Sequence, residues 1–505
     1  LLQFSIKLIF QIMAKTYKTP GVYIEEKNAF PSSIVAVATS IPAFVGYTEK
    51  AAQGMKSLAN NPTRVSSWAE FAQYFGDSPT TQYEVKSDGS LTTVTATRYL
   101  LADSLRLFFA NGGGACYVVS VGNYSDPASA EHLTAGIDTL SDETEPSMLV
   151  VPDAMLLSEA DCAVVQQKML AHCGTMRLRF AILDVFMSEN ALNAPNTDAI
   201  AAAFRAQIGT ESLSWGAAYY PWLRTSIHGE ATLANVSPDA YEALRELLTT
   251  DTNDRVAKGS LNAQQAAQLQ TLIGQIKDNV GATKAAQPLH QALLAASPGY
   301  KSLIERILGK MNLLPPSAAI AGVYAVTDNS YGVFKAPANV SLAAVLGPVV
   351  NLTDDQQADL NVSPMDGKSI DAIRAFLGRG TVVWGARTLD GNSNDWRYVN
   401  VQRMAICLEQ SIKLALQAYV FASNDANTWL IVRGMVESFL TGFWQQGGLQ
   451  GATPREAFSV QVGLGSTMTP VDIEEGYMIV QVLFAMVRPS EFIALSFKQK
   501  MEGIG

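Results

Sequence analysis

The chain has 505 residues, of which 48% are hydrophobic and 16% charged, with a formal net charge of -10. That length accommodates about three domains of ~150 residues each, the acidic balance gives no support to phosphate-backbone binding, and no apolar run reaches the ~18 residues needed to cross a bilayer. Four cysteines (Cys116, Cys162, Cys173 and Cys407) in so long a chain form no disulfide framework and point to synthesis in a reducing compartment.

In chain order, residues 1–12 (LLQFSIKLIFQI) are apolar, carry only Lys7, and precede Met13-Ala14-Lys15. A signal peptide would have a basic front and a small-residue cleavage site, and neither is present, so this stretch is read as a non-native or upstream extension, with translation expected to start at Met13; the alternative is a short membrane-surface helix. Thr19-Pro20-Gly21 is a turn signal, and Val22, Tyr23 and Ile24 form a short β-prone run. Residues 34–225 alternate short apolar runs (34–39, 115–121, 148–151, 180–185) with helical patterns at 66–75 and 159–172. This alternation predicts an α/β layered domain with a mainly parallel sheet.

Residues 228–312 are rich in Ala, Gln and Leu, with helix starts at Ser237-Pro238 and Ser297-Pro298 and a helical stripe of Leu269, Leu272, Ile273, Ile276 and Val280. They read as a peripheral helical insertion. From residue 313 the pattern is α+β. Helices are predicted over 400–421 and 428–446, and Thr453-Pro454-Arg455-Glu456 has the form of a capping box with proline at the first turn. A long strand follows over 477–487, with Met478, Val480, Val482, Phe484 and Met486 on one face. Arg488-Pro489-Ser490-Glu491 is read as a turn, and Phe492, Ile493, Leu495 and Phe497 as part of a second short strand.

The expected division is therefore an extension (1–12), an N-terminal arm (13–40), an α/β domain (41–227) returning at 313–350 after the insertion (228–312), a C-terminal α+β domain (351–487) and a C-terminal arm (488–505). On composition alone, the two terminal strands are either ordinary edges of one domain or strands given to a neighbour.

Residues suited to chemistry are few. Gly367-Lys368-Ser369 resembles part of a phosphate loop, but Val362 stands where its first glycine is required. Asn111-Gly112-Gly113-Gly114 precedes a strand, whereas dinucleotide sites place glycines after one. His172 beside Cys173, with Cys162 nearby, matches no zinc spacing and reads as buried packing. Asp153, Asp184 and Asp328 end or follow apolar runs, where α/β enzymes place catalytic carboxylates and where helix and turn caps also fall. No catalytic, cofactor or metal residue is assigned.

Six segments carry a family resemblance: YKTPGVYIE (17–25), IPAFVGY (41–47), LPPSAAIAGVYAVTD (314–328), GVFKAPAN (332–339), DWRYVNVQR (395–403) and VRPSEFIALSF (487–497). In content and order the chain resembles the tail sheath proteins of contractile phage tails and of phage-tail-like extracellular injection systems. Val326 and Gln402 depart from that pattern, standing where an arginine and a basic residue are common.

The resemblance implies a non-enzymatic structural subunit, without cofactor, that polymerises as stacked six-fold rings around an inner tube and drives the tube through a target envelope by contraction. It implies an N-terminal arm strand at Val22, Tyr23 and Ile24 and a C-terminal arm strand at Phe492, Ile493, Leu495 and Phe497. Each would complete a neighbour's C-terminal domain, whose receiving sheet uses Met478, Val480, Val482 and Phe484. Implied partners are further copies of the chain, the inner tube protein, and baseplate and terminal cap proteins, with no direct nucleic-acid contact and no membrane insertion. Assembly is expected in the bacterial cytoplasm, before incorporation into a phage tail or a released injection particle. Two alternatives are an α/β hydrolase-like enzyme using Asp184 or Asp328, and a non-contractile tube or baseplate component.

Overall fold

The computed structural model describes residues 33–277 and 286–492. Its centre is a nine-stranded mixed sheet. In chain order the strands are β1 (Pro42–Thr48), β2 (Thr63–Val65), β3 (Cys116–Asn123), β4 (Met148–Val150), β5 (Phe180–Asp184), β6 (Gly216–Tyr220), β7 (Val340–Ser341), β8 (Asp371–Phe376) and β9 (Gly380–Val383). Across the sheet they run β7-β9-β8-β6-β5-β4-β1-β3-β2. The six strands from β8 to β3 pair in parallel, with register pairs such as Phe44 with Val118 and Val150, Leu149 with Ala181, and Tyr219 with Asp371. The edge pairs β2–β3, β8–β9 and β7–β9 are antiparallel. Strands covered on both faces need no polar alternation, and every residue of β1, β5 and β6 is buried.

The parallel α/β layering expected from the sequence is present, but the sheet continues past residue 350. β8 and β9, assigned from the sequence to the C-terminal domain, join the main sheet: β8 pairs with β6, and the two form a hairpin. Their apolar residues alternate over so short a run that the pattern does not identify which sheet they enter.

Helices flank the sheet, among them α1 (Leu101–Ala110), α2 (Glu159–Met176) and α3 (Ser317–Tyr331). α1 and α3 approach closely at Gly322, where an added Cβ would lie 2.8 Å from the Phe108 carbonyl oxygen. A side chain there would force the helices apart.

Four helices, Tyr241–Ala257, Ala263–Gly274, Ala286–Ala296 and Pro298–Met311, enclose a core of their own around Leu244, Leu269, Leu293 and Tyr300. The hairpin of Tyr83–Val85 and Leu91–Thr93 belongs to that core through Tyr83 and Val85, although it lies some 150 residues upstream in the chain. Ser297 caps its helix by accepting from the Tyr300 N–H, while Ser237 makes no side-chain cap.

The third core lies between α4 (Val399–Leu416), α5 (Ala426–Gln445) and a two-stranded antiparallel sheet of β10 (Phe458–Val462) and β11 (Val480–Phe484). α4 serves two cores at once: Val399 and Ile406 face the main one, and Met404, Leu408 and Ile412 the C-terminal one. Thr453 makes no side-chain cap; Glu456 instead accepts from the Ala452 N–H.

Candidate functional site

The strand-end aspartates fasten the fold. Asp153 accepts from the backbone N–H groups of Tyr47 (2.7 Å), Leu100 (2.6 Å) and Leu101 (3.1 Å), which ties the start of α1 to β1. Asp184 accepts from the Ser317 N–H (2.7 Å) and hydroxyl (2.5 Å) at the start of α3. Burial pushes both carboxyls up, to about 6 and about 7, against the lowering effect of these donors. Their oxygens are occupied by structural donors, so the hydrolase alternative loses Asp184. Asp328 sits within α3 and receives a fork from Arg403, Nη1 to Oδ1 at 3.0 Å and Nη2 to Oδ2 at 2.6 Å, with both side chains 3% exposed. Burial opposes the Arg403 charge, and the Asp328 carboxylate more than offsets it.

Lys368 donates to the Arg205 carbonyl at 2.5 Å and is buried, so its ammonium is committed within the fold. His172 and Cys173 are buried in the main core's surroundings, and no group of three or more His, Cys, Asp or Glu among the described residues could hold a metal ion. Val326 packs over Gly112, and Gln402 is buried in a cleft it shares with Arg177, Trp215, Trp396 and Glu409.

Other residues singled out in the sequence lie in the C-terminal sheet. β10 and β11 pair only with each other among the described residues, in register from Phe458 with Phe484 to Val462 with Val480. Each therefore has an outer edge with no strand partner among the described residues. Beneath them, Met478, Val480, Val482, Phe484 and Met486 pack on the C-terminal core yet stay partly exposed. The sequence reading put these five on one face, and they do share it. The regular strand is shorter than expected, Val480–Phe484 instead of 477–487, with Met486 joined to Leu449 by a single bridge.

Between β11 and the last turns of α4 lies a groove of about 600 Å³. Ile412, Leu416, Val420, Val480, Val482 and Phe484 make it apolar, and Glu409 and Lys413 stand at its rim. Glu409 and Lys413 form no ion pair with each other, although helical spacing places them four apart.

Of the seven residues expected to form the two arm strands, only Phe492 is described, and it is 78% exposed. Val22, Tyr23, Ile24, Ile493, Leu495 and Phe497 lie outside the described residues. Residues 488–491 form no regular turn; Glu491 instead engages Arg387, a contact with no signal in the sequence.

Among the described residues, then, the β10–β11 sheet is two-stranded and lies over a partly exposed apolar floor. A family model described as the phage tail sheath C-terminal domain matches residues 392–500. A chain of the anti-feeding prophage (AFP) baseplate, 6-fold symmetrised, is 30% identical, with 96% of this chain and 100% of that chain covered at a TM-score of 0.60. The sheath complex of an extracellular contractile injection system, PVC, in the contracted state is 28% identical over 96% and 98% of the two chains, also at 0.60. The tail sheath protein of Vibrio phage KVP40 is 22% identical over 199 residues, and this chain spans 28% of that relative's length. The chain belongs to the contractile tail sheath family.

Proposed function

We propose that the chain polymerises into the sheath of a contractile injection particle, as stacked six-fold rings around an inner tube, and drives that tube forward when the sheath shortens. In this reading each subunit sends an N-terminal strand (Val22, Tyr23, Ile24) and a C-terminal strand (Phe492, Ile493, Leu495, Phe497) to neighbours. They add to the receiving sheet at Met478, Val480, Val482 and Phe484. Its other partners are the tube, baseplate and terminal cap proteins. The particle assembles in the bacterial cytoplasm, and the role is mechanical, not enzymatic.

The observation that carries this reading is the pair of open edges on β10 and β11 above partly exposed valines and Phe484. A strand laid along one edge gains about 0.5–1.5 kcal/mol per hydrogen bond. It also covers apolar side chains worth ~1.5–3 kcal/mol each when fully buried. Several such terms together make a joint that survives sliding and rotation of the bodies it links. Contraction is then a repacking of subunit interfaces between two stable arrangements.

Truncation after Glu491 tests the arm role. The shortened chain is expected to fold and to lose long sheaths when co-expressed with tube and baseplate proteins. Full-length sheaths from the truncated chain would contradict the reading.

A further inference from the structure

We infer that α4 acts as a yoke fixing the departure points of both arms, with Arg387 and Glu491 as the positioning pair that directs the C-terminal one. This inference rests on the strand-exchange reading above. Asn400, Arg403, Cys407 and Ser411 recur at offsets of three, seven and eleven, so they share one face of α4. Arg403 Nη2 donates to the Thr39 carbonyl at 2.8 Å, and the Val37 N–H donates to Ser411 Oγ at 3.0 Å. These contacts hold the chain as it comes from the N-terminal arm. Asn400 Nδ2 donates to the Val487 carbonyl at 3.2 Å, which holds the chain as it leaves β11. One helix face thus grips both roots.

The C-terminal root has a second fastening. Glu491 receives a fork from Arg387, with Nε at 2.8 and 3.1 Å from its two oxygens and Nη2 on Oε2, and the Tyr398 hydroxyl lies 3.3 Å away. Arg387 is itself anchored to the main sheet, its N–H donating to Asp371 Oδ1 of β8 at 2.9 Å. Residues 487 and 491 are both tied down, so Arg488-Pro489 lies inside a segment held at both ends.

The burial of the two sides shows the pair's purpose. The Arg387 side chain is 7% exposed, whereas Glu491 is 23% exposed. A guanidinium held that deep is costly unless its carboxylate is present. Here the carboxylate is supplied by the chain segment that leads into the arm. The body therefore carries a charged socket that is satisfied when the arm root is seated, and the planar fork fixes direction as well as position. Arg403 and Asp328, both 3% exposed, form the permanent counterpart on the N-terminal side.

Two variants separate direction from mere stability, each made in the full chain and co-expressed with tube and baseplate proteins. Glu491→Gln leaves the socket charge unpaired, so both the melting temperature and sheath assembly should fall. The double variant Arg387→Gln with Glu491→Gln removes the unpaired charge and should restore the melting temperature, but it lacks the fork. It is expected to give about tenfold fewer full-length sheaths than wild type, equivalent to ~1.4 kcal/mol. Full-length sheaths of normal helical twist from the double variant would overturn the inference while leaving strand exchange intact. Sheaths from the chain truncated after Glu491 would overturn strand exchange, and this inference with it.

Discussion

Arg179 is fully buried and has no carboxylate partner among its hydrogen bonds: its guanidinium donates to the carbonyls of Leu140 and Glu143 and to His172 Nε2. His172 must therefore be neutral, with its proton on Nδ1, and burial together with the adjacent guanidinium pushes its pKa down to about 4. A folded-state pKa below the ordinary 6.5 means that this stability is complete above pH 6.5 and is lost as pH falls toward 4. The loss is on the order of 3 kcal/mol. Asp153 and Asp184 act in the opposite sense, since raised carboxyl pKa values favour the folded state as pH falls. Comparing variants isolates the histidine: His172→Gln keeps an acceptor for Arg179 and should lose less melting temperature than wild type on going from pH 6.5 to 4. A profile parallel to wild type would show that His172 does not titrate in this way. None of these roles was legible in the sequence, where His172 beside Cys173 showed only as packing. Which carbonyls converge on an arginine is settled by tertiary contacts between distant segments.

Among the elements, β11 is the one on which the proposed strand exchange depends. Its alternation was legible because period-two patterning shows wherever one face is buried and the other is not. Its true length was not, since pairing ends where β10 ends. The same limit hid β8 and β9, whose sheet is chosen by register with β6, and the hairpin at Tyr83, which packs into a helical core far along the chain. Helices were read with less error: the expected 400–421 and 428–446 appear as α4 and α5, because their apolar stripes and terminal signals are local. Val482 lies at the middle of β11, partly exposed and facing the groove. Val482→Lys can extend its ammonium to water in the monomer but not beneath an added strand. We expect a folded chain with a melting temperature lowered by about 2–4 °C and no long sheaths in electron micrographs. Normal sheaths from this variant would place the joint elsewhere.

For the whole molecule, α4 belongs to both the main and the C-terminal core, so the sheet-bearing body and the β10–β11 sheet are coupled through one helix. Arg403 and Asp328 lock that element to α3, and Asn400 and Ser411 tie both chain roots to it. In the proposed assembly, this coupling carries rotation of the body to the strand-exchange joints. This is what a sheath needs if it is to shorten without coming apart. The helical unit at 228–312, with its separate core, stands apart from this path.

Electron microscopy of the full chain co-expressed with its tube and baseplate proteins, before and after a contraction trigger, tests the central claim most directly. Hollow, helically striated cylinders are expected in two populations, one long and narrow, the other short and wide, with subunits joined through β10 and β11 in both. Particles of one constant length and diameter, or cylinders whose subunits meet without strand addition at that sheet, would contradict it.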